Sequence, residues 1–256
     1  MKQTLSPIKN SEKYHFSDFT RSNFRRLLKL AKKNYRFITF DELESKDRYI
    51  LMRHDVDVSV HSSLKMAQIE AEEGVSGTYF LWFHSKLYNI FEKGIFKKIK
   101  GIIKLGHKIG VHLDCEFYDL NNEADIEVHL SFERNMLENL FGVPISVFSF
   151  HSPTSEELKY TKYKYAGMFS TYSDFFKTNV FYCSDSNGYW RYDRLQDVLM
   201  EAKHDRIQVL LHPEWWTEEV MSPNQKVWRS IDKRAENNKQ WYIDKLIEHN
   251  RKNIDW

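Results

Sequence analysis

The chain has 256 residues, enough for one large domain, and its 41% hydrophobic and 29% charged content is that of an ordinary globular protein. Lys and Arg number 38 against 36 Asp and Glu, for a net charge of +2; the signs are interspersed rather than blocked, so nothing in the charge pattern suggests a nucleic-acid face. No run approaches the length of a membrane span, the polar start MKQTLSPIKNSEKYHF lacks the apolar centre of a signal peptide, and two scattered cysteines, Cys115 and Cys183, form no disulfide framework.

In chain order, Thr20 reads as the cap of a first helix with Phe24, Leu27, Leu28 and Ala31 on one face. The basic run Arg25–Lys33 on that helix reads as its solvated side. Tyr35–Phe40 and Tyr49–Arg53 read as strands. A helix carrying Leu64, Ala67 and Ala71 follows and stops at Gly74. Gly77–Phe83 is a strand, Phe96, Ile99, Ile102 and Ile103 mark a helix ending at Gly106, and His107–Leu113 is again a strand. Asp125–Phe141 is a long helix closed by Gly142, and Ile145–Phe150 a strand. Ala166–Thr171, Val180–Cys183 and Ile207–Leu211 are further strands, with the helix Arg194–Ala202 before the last. The polar C-terminal part is helical, with Trp228, Ile231, Trp241, Leu246 and Ile247 expected to dock it.

Alternating strands and helices at this spacing imply parallel strands joined by crossover helices. A barrel and an open doubly wound sheet both satisfy the pattern. Polar residues stand just after the apolar strand cores, strand after strand, which favours the barrel, where such residues gather on one face. An open sheet would carry a Gly-rich first turn, and none is present among nine glycines. The expected fold is an α/β, distorted (β/α) barrel of about seven parallel strands. It forms a single domain over 1–256, with an N-terminal helix–strand extension and a C-terminal docking helix.

Four strand ends carry the residues suited to chemistry. Asp55 and Asp57 share one face of a strand, and two carboxylates that close repel unless a cation or proton intervenes. Capping of a helix beginning near Ser62 is the competing reading. His112, Asp114 and, more loosely, Glu116 alternate onto one face of the next cluster. His151 ends the apolar strand FSF, and His212 ends VLL before Pro213, Glu214, Trp215 and Trp216. Imidazole with carboxylate and no clustered thiolate suits a divalent metal, zinc first, with cobalt, nickel or iron as alternatives. Cys115 should face away from the site by alternation, and both cysteines read as structural.

With these motifs in this order, the chain resembles the polysaccharide deacetylase superfamily, also called the NodB-homology or carbohydrate esterase family 4 group. The resemblance runs from about Asp55 to His212. Asp55 and Asp57 resemble its first motif, which implies a catalytic base at Asp55 and a metal ligand at Asp57. Gly106-His107-Lys108-Ile109-Gly110-Val111-His112 resembles the second, which implies a ligand at His112. His151-Ser152-Pro153 stands where the third motif has Arg-x-Pro, and Ser184–Trp190, with Asp185 and Tyr189, where the groove-lining fourth belongs. Leu210-Leu211-His212 resembles the fifth, which implies a general acid at His212. Where the family supplies a second histidine four residues after the first, this chain has Glu116. His151 is the expected substitute third ligand, with Asp114 or Glu116 as rivals.

The resemblance implies metal-assisted amide hydrolysis of an N-acetylated sugar or related precursor. Asp55 would take a proton from water and His212 would give one to the departing amine. Tyr189, Trp215 or Trp216 would stack on a sugar ring. The expected partner is a small-molecule or carbohydrate substrate, with neither nucleic acid nor membrane, in the cytoplasm. The rival readings are another metallohydrolase on the same barrel, such as a phosphoesterase, and a carbohydrate-binding or scaffold protein without turnover.

Overall fold

The computed structural model describes residues 7–254 except Lys46 and Asn121. Nine strands form one curled sheet: β1 (Arg36–Ile38), β2 (Tyr49–Val56), β3 (Thr78–Leu81), β4 (Lys108–Leu113), β5 (Val147–Phe150), β6 (Lys164–Tyr165), β7 (Met168–Ser170), β8 (Phe181–Ser184) and β9 (Arg206–Leu211). The helices are α1 (Pro7–Lys13), α2 (Arg21–Ala31), α3 (Val60–Glu72), α4 (Lys93–Lys104), α5 (Glu123–Phe141), α6 (Asp174–Asn179), α7 (Leu195–Glu201) and α8 (Pro223–Glu248).

The strand path runs β6-β7-β5-β4-β3-β2-β9-β8, with β1 paired to β2 beside it. All pairings are parallel except β6 with β7. The sheet is thus a half-barrel of seven parallel strands, with the β6 hairpin and β1 added, and among the described residues its two ends do not pair. The expected barrel is present, with two more strands than anticipated.

β2 is the central strand, buried along its whole length. Its alternate residues part to opposite faces. Tyr49 and Leu51 enter the barrel interior with Phe80, Val147 and Phe176. Ile50 and Met52 pack outward against Leu27, Leu28, Leu195 and Leu199 of α2 and α7. β2 runs three residues past the expected end at Arg53, because the polar residues there find partners inside the sheet. Its outward His54 meets Glu70 on α3 at 2.6 Å, and Tyr79 donates to the other Glu70 oxygen at 2.7 Å. β1, in contrast, is shorter than Tyr35–Phe40, because Thr39 and Glu42 form a capping box that turns Phe40 into a 3-10 helix.

The caps anticipated in sequence are in place: Thr20 Oγ1 accepts from Asn23 N at 3.3 Å, and Gly142 closes α5 with φ 71°. α3 is capped by Ser59, so neither Asp55 nor Asp57 caps it. Cys115 and Cys183 are free and buried, in keeping with their reading as structural residues.

The docking role expected of the C-terminal helix residues is not borne out. Trp228, Ile231, Trp241 and Ile247 are 61%, 42%, 62% and 68% exposed, and Leu246 is half-buried. α8 is fastened instead through its first half, where Lys226 Nζ donates to Trp215 O at 2.7 Å and Arg234 pairs with Glu92 at 3.2 Å. No described helix is long and apolar enough to cross a membrane.

The GHKIG run owes its second glycine to packing. A Cβ on Gly110 would lie 2.8 Å from the Phe80 ring and 2.8 Å from Val147 O on the neighbouring strands. Gly110→Ala is therefore predicted to lower stability by about 1–3 kcal/mol through overpacking. Urea unfolding measures this, and an unchanged midpoint would contradict the packing account.

Candidate metal centre

The C-terminal ends of β2, β4, β5 and β9 deliver Asp55, His112, His151 and His212 to one place, with Asp57 one residue beyond β2. Asp57 Oδ1 lies 3.1 Å from His112 Nε2 and 3.5 Å from His151 Nδ1, and these two nitrogens are 3.3 Å apart. Ligands at 2.0–2.2 Å around a tetrahedral zinc are separated by about 3.3–3.6 Å, so the triangle has the size of one face of such a site. Asp57 Oδ1 is itself buried without a hydrogen-bond partner, and two imidazole nitrogens facing each other beside it need a shared proton or a cation. Oxygen and nitrogen donors in this set suit a divalent metal of the zinc type, and no other such cluster occurs among the described residues.

Each ligand direction has a local cause. His112 stands opposite Ser149 in the β4–β5 register, and its Nδ1 meets Ser149 Oγ at 2.7 Å, which turns Nε2 to Asp57. Asp57 is held well below the ordinary carboxylate range. Burial pushes it up, but the facing imidazoles of His112, His151 and His212 outweigh that.

Asp55 lies beside the triangle, its Oδ2 3.6 Å from His112 Nε2. It is clamped by the fully buried Arg53, whose Nε and Nη2 donate to its two oxygens at 2.8 and 2.7 Å. Arg53 is fixed in turn by donating to Thr171 Oγ1 and Tyr172 Oη, both at 3.1 Å. Burial raises the Asp55 pKa, and the Arg53 and His112 charges bring it below its usual value. On the other side, His212 Nε2 lies 3.9 Å from Asp57 Oδ2. Its Nδ1 donates to Asp185 Oδ1 at 2.7 Å. Burial pulls the His212 pKa down, but Asp185, and to a lesser degree Asp57, raise it to about 10.

The remaining anticipated residues divide. Asp185 is fully buried and acts on His212; Trp216 Nε1 donates to its other oxygen at 2.9 Å. Trp216 is therefore a core residue at 0% exposure and has no ring face for a sugar. Tyr189 packs against Tyr14 at 5.3 Å and does not line the cleft. Glu116 is exposed in the turn after β4, and Asp114 points to Trp82, so neither belongs to the ligand triangle. Trp215 lines the cleft but is largely buried. That cleft, about 1430 Å³, opens onto Asp55, Asp57, His112 and His212, and the most exposed aromatic rings lining it are Tyr182 and Tyr192.

Three residues escaped the sequence reading. Arg53 was legible in principle, since it precedes Asp55 by two and so shares its face. Ser149 acts only through strand register. Glu214 is a buried carboxyl lining the cleft, with burial and the nearby Asp57 charge pushing its pKa well up.

No family model and no curated protein matches this chain. Solved structures do. A family 4 carbohydrate esterase from Bacillus anthracis is 16% identical, with 84% of this chain and 86% of that one covered and a TM-score of 0.43. A Streptococcus pyogenes deacetylase solved with acetate is 11% identical over 90% and 93% of the two chains, with a TM-score of 0.42. A family 4 pseudoenzyme from Bacillus anthracis is 14% identical over 75% and 62%, with a TM-score of 0.41.

Proposed function

We infer that the chain is a metal-dependent hydrolase of the polysaccharide deacetylase type, acting on the amide of an N-acetylated sugar or related precursor. The observation that carries this reading is the Asp57–His112–His151 triangle, flanked by Asp55 on one side and His212 on the other. Zinc in this set would supply Lewis-acid polarisation of a carbonyl.

The chain's own residues supply the proton transfers. Asp55 is ionised at neutral pH and held in a fixed orientation by Arg53, so it is placed to accept a proton from the attacking water. His212 is protonated at neutral pH and presents Nε2 toward Asp57, which places a proton on the opposite side for the departing amine. The filled base and acid positions favour turnover despite the departures at Glu116 and His151.

Two outcomes test the assignment on the zinc-loaded protein with N-acetylglucosamine oligomers. Asp55→Asn is predicted to lower acetate release by about 10²–10⁴-fold with zinc content unchanged. Full activity in that variant would take the base role away from Asp55. Asp185→Asn removes the strongest support for the His212 proton. Wild-type His212 keeps its proton into alkaline solution, so the alkaline limb of kcat/KM should move to lower pH in the variant. A limb that stays in place would show that His212 is not the acid.

A further inference from the structure

The three histidines of the centre are restrained from behind in different ways. His112 has Ser149 at 2.7 Å and His212 has Asp185 at 2.7 Å. Among the described residues His151 has no comparable partner: its outward Nε2 finds Ser152 Oγ at 3.5 Å, beyond useful hydrogen-bond length. It stands one residue past β5, where its backbone N–H still donates to Leu113 O at 2.8 Å, so the backbone is held but the ring is not. A ligand imidazole so placed is free to turn about its terminal torsion and lose the direction of Nδ1.

Trp82 closes off that freedom. Its ring lies 3.8 Å from the His151 ring, nearly parallel at 16°. The indole is anchored at its far side, where Nε1 donates to Asp114 Oδ2 at 2.9 Å. Asp114 is fixed by accepting from Phe117 N at 3.1 Å. The Trp82 backbone N–H donates to Tyr88 Oη at 2.8 Å, and that hydroxyl donates to Val56 O at 2.8 Å, one residue before Asp57. The indole is thus tied both to the end of β4 and to the strand that presents Asp57.

We propose that Trp82, anchored by Asp114, is the positioning residue that aims His151 Nδ1 at the metal. This rests on the metal-centre reading above. It assigns Asp114 a task two steps from the metal, and it explains how a loop histidine without a hydrogen-bonded outer partner serves as third ligand. The indole acts through the imidazole face and its Asp114 anchor, so an aromatic replacement keeps part of the effect and an aliphatic one keeps none.

Zinc affinity of the full chain, measured by competition with a chromophoric chelator, tests the proposal. Trp82→Ala should bind zinc about 10–100-fold more weakly, the usual effect of losing an outer support, while Trp82→Phe, which keeps a ring face but lacks the Asp114 anchor, recovers part of the loss. In a chain that already carries His151→Ala, adding Trp82→Ala should weaken zinc no further, because the two act as a unit. Wild-type affinity in Trp82→Ala, no recovery in a folded Trp82→Phe, or additive losses in the double variant would each overturn the positioning role. A wild-type chain with no zinc affinity would remove the metal centre itself, a distinct failure that takes this role with it.

Discussion

The site is organised by the need to compensate buried negative charge. Asp55, Asp185 and Glu214 are almost fully buried within a few residues of the strand ends, and Asp57 stands partly buried among them. Asp55 is matched by Arg53 and Asp185 by His212. At Glu214, burial and the nearby Asp57 charge push the pKa well up, which favours the neutral carboxyl. Asp57 has no dedicated cation, only imidazoles, and one of its oxygens is buried without a hydrogen bond. A divalent ion among Asp57, His112 and His151 would supply that cation in place of imidazole protons.

The same constraint shapes the fold around the site. Arg53 lies inside the half-barrel and reaches from β2 to Thr171 and Tyr172 just after β7, so a charge pair that orients Asp55 also links distant strands. Losing one partner of so buried a pair costs about 3–5 kcal/mol, which makes the clamp structural as well as chemical. Outside the barrel, His54 and Glu70 do similar work between β2 and α3. The polar run Arg53-His54-Asp55 can therefore continue a strand that composition alone ends at Arg53.

Much of this was legible in the sequence. Period-two alternation placed Asp55 with Asp57, and the strand-end histidines His112, His151 and His212 all arrive at one centre. The helix caps at Thr20 and Gly142 follow from local backbone chemistry. What was not legible depends on register or on neighbours distant in sequence. Ser149 matters only because β5 pairs with β4 so that it faces His112. Trp216 reads as an exposed stacking ring until the Asp185 hydrogen bond and its burial show otherwise. Glu116 fails as a ligand because the chain leaves β4 at Leu113 and turns, which ends the alternation that would have aimed it inward. The α8 apolar residues follow a helical period, and period alone does not say whether a neighbour lies close enough to cover them.

The central claim is that Asp57, His112 and His151 hold one divalent metal. A crystal grown with zinc, with data collected across the zinc absorption edge, tests it most directly. The account predicts a single strong anomalous peak about 2.0–2.2 Å from Asp57 Oδ1, His112 Nε2 and His151 Nδ1. No peak between these residues, or a zinc ion held by Asp114 or Glu116 in place of His151, would contradict it.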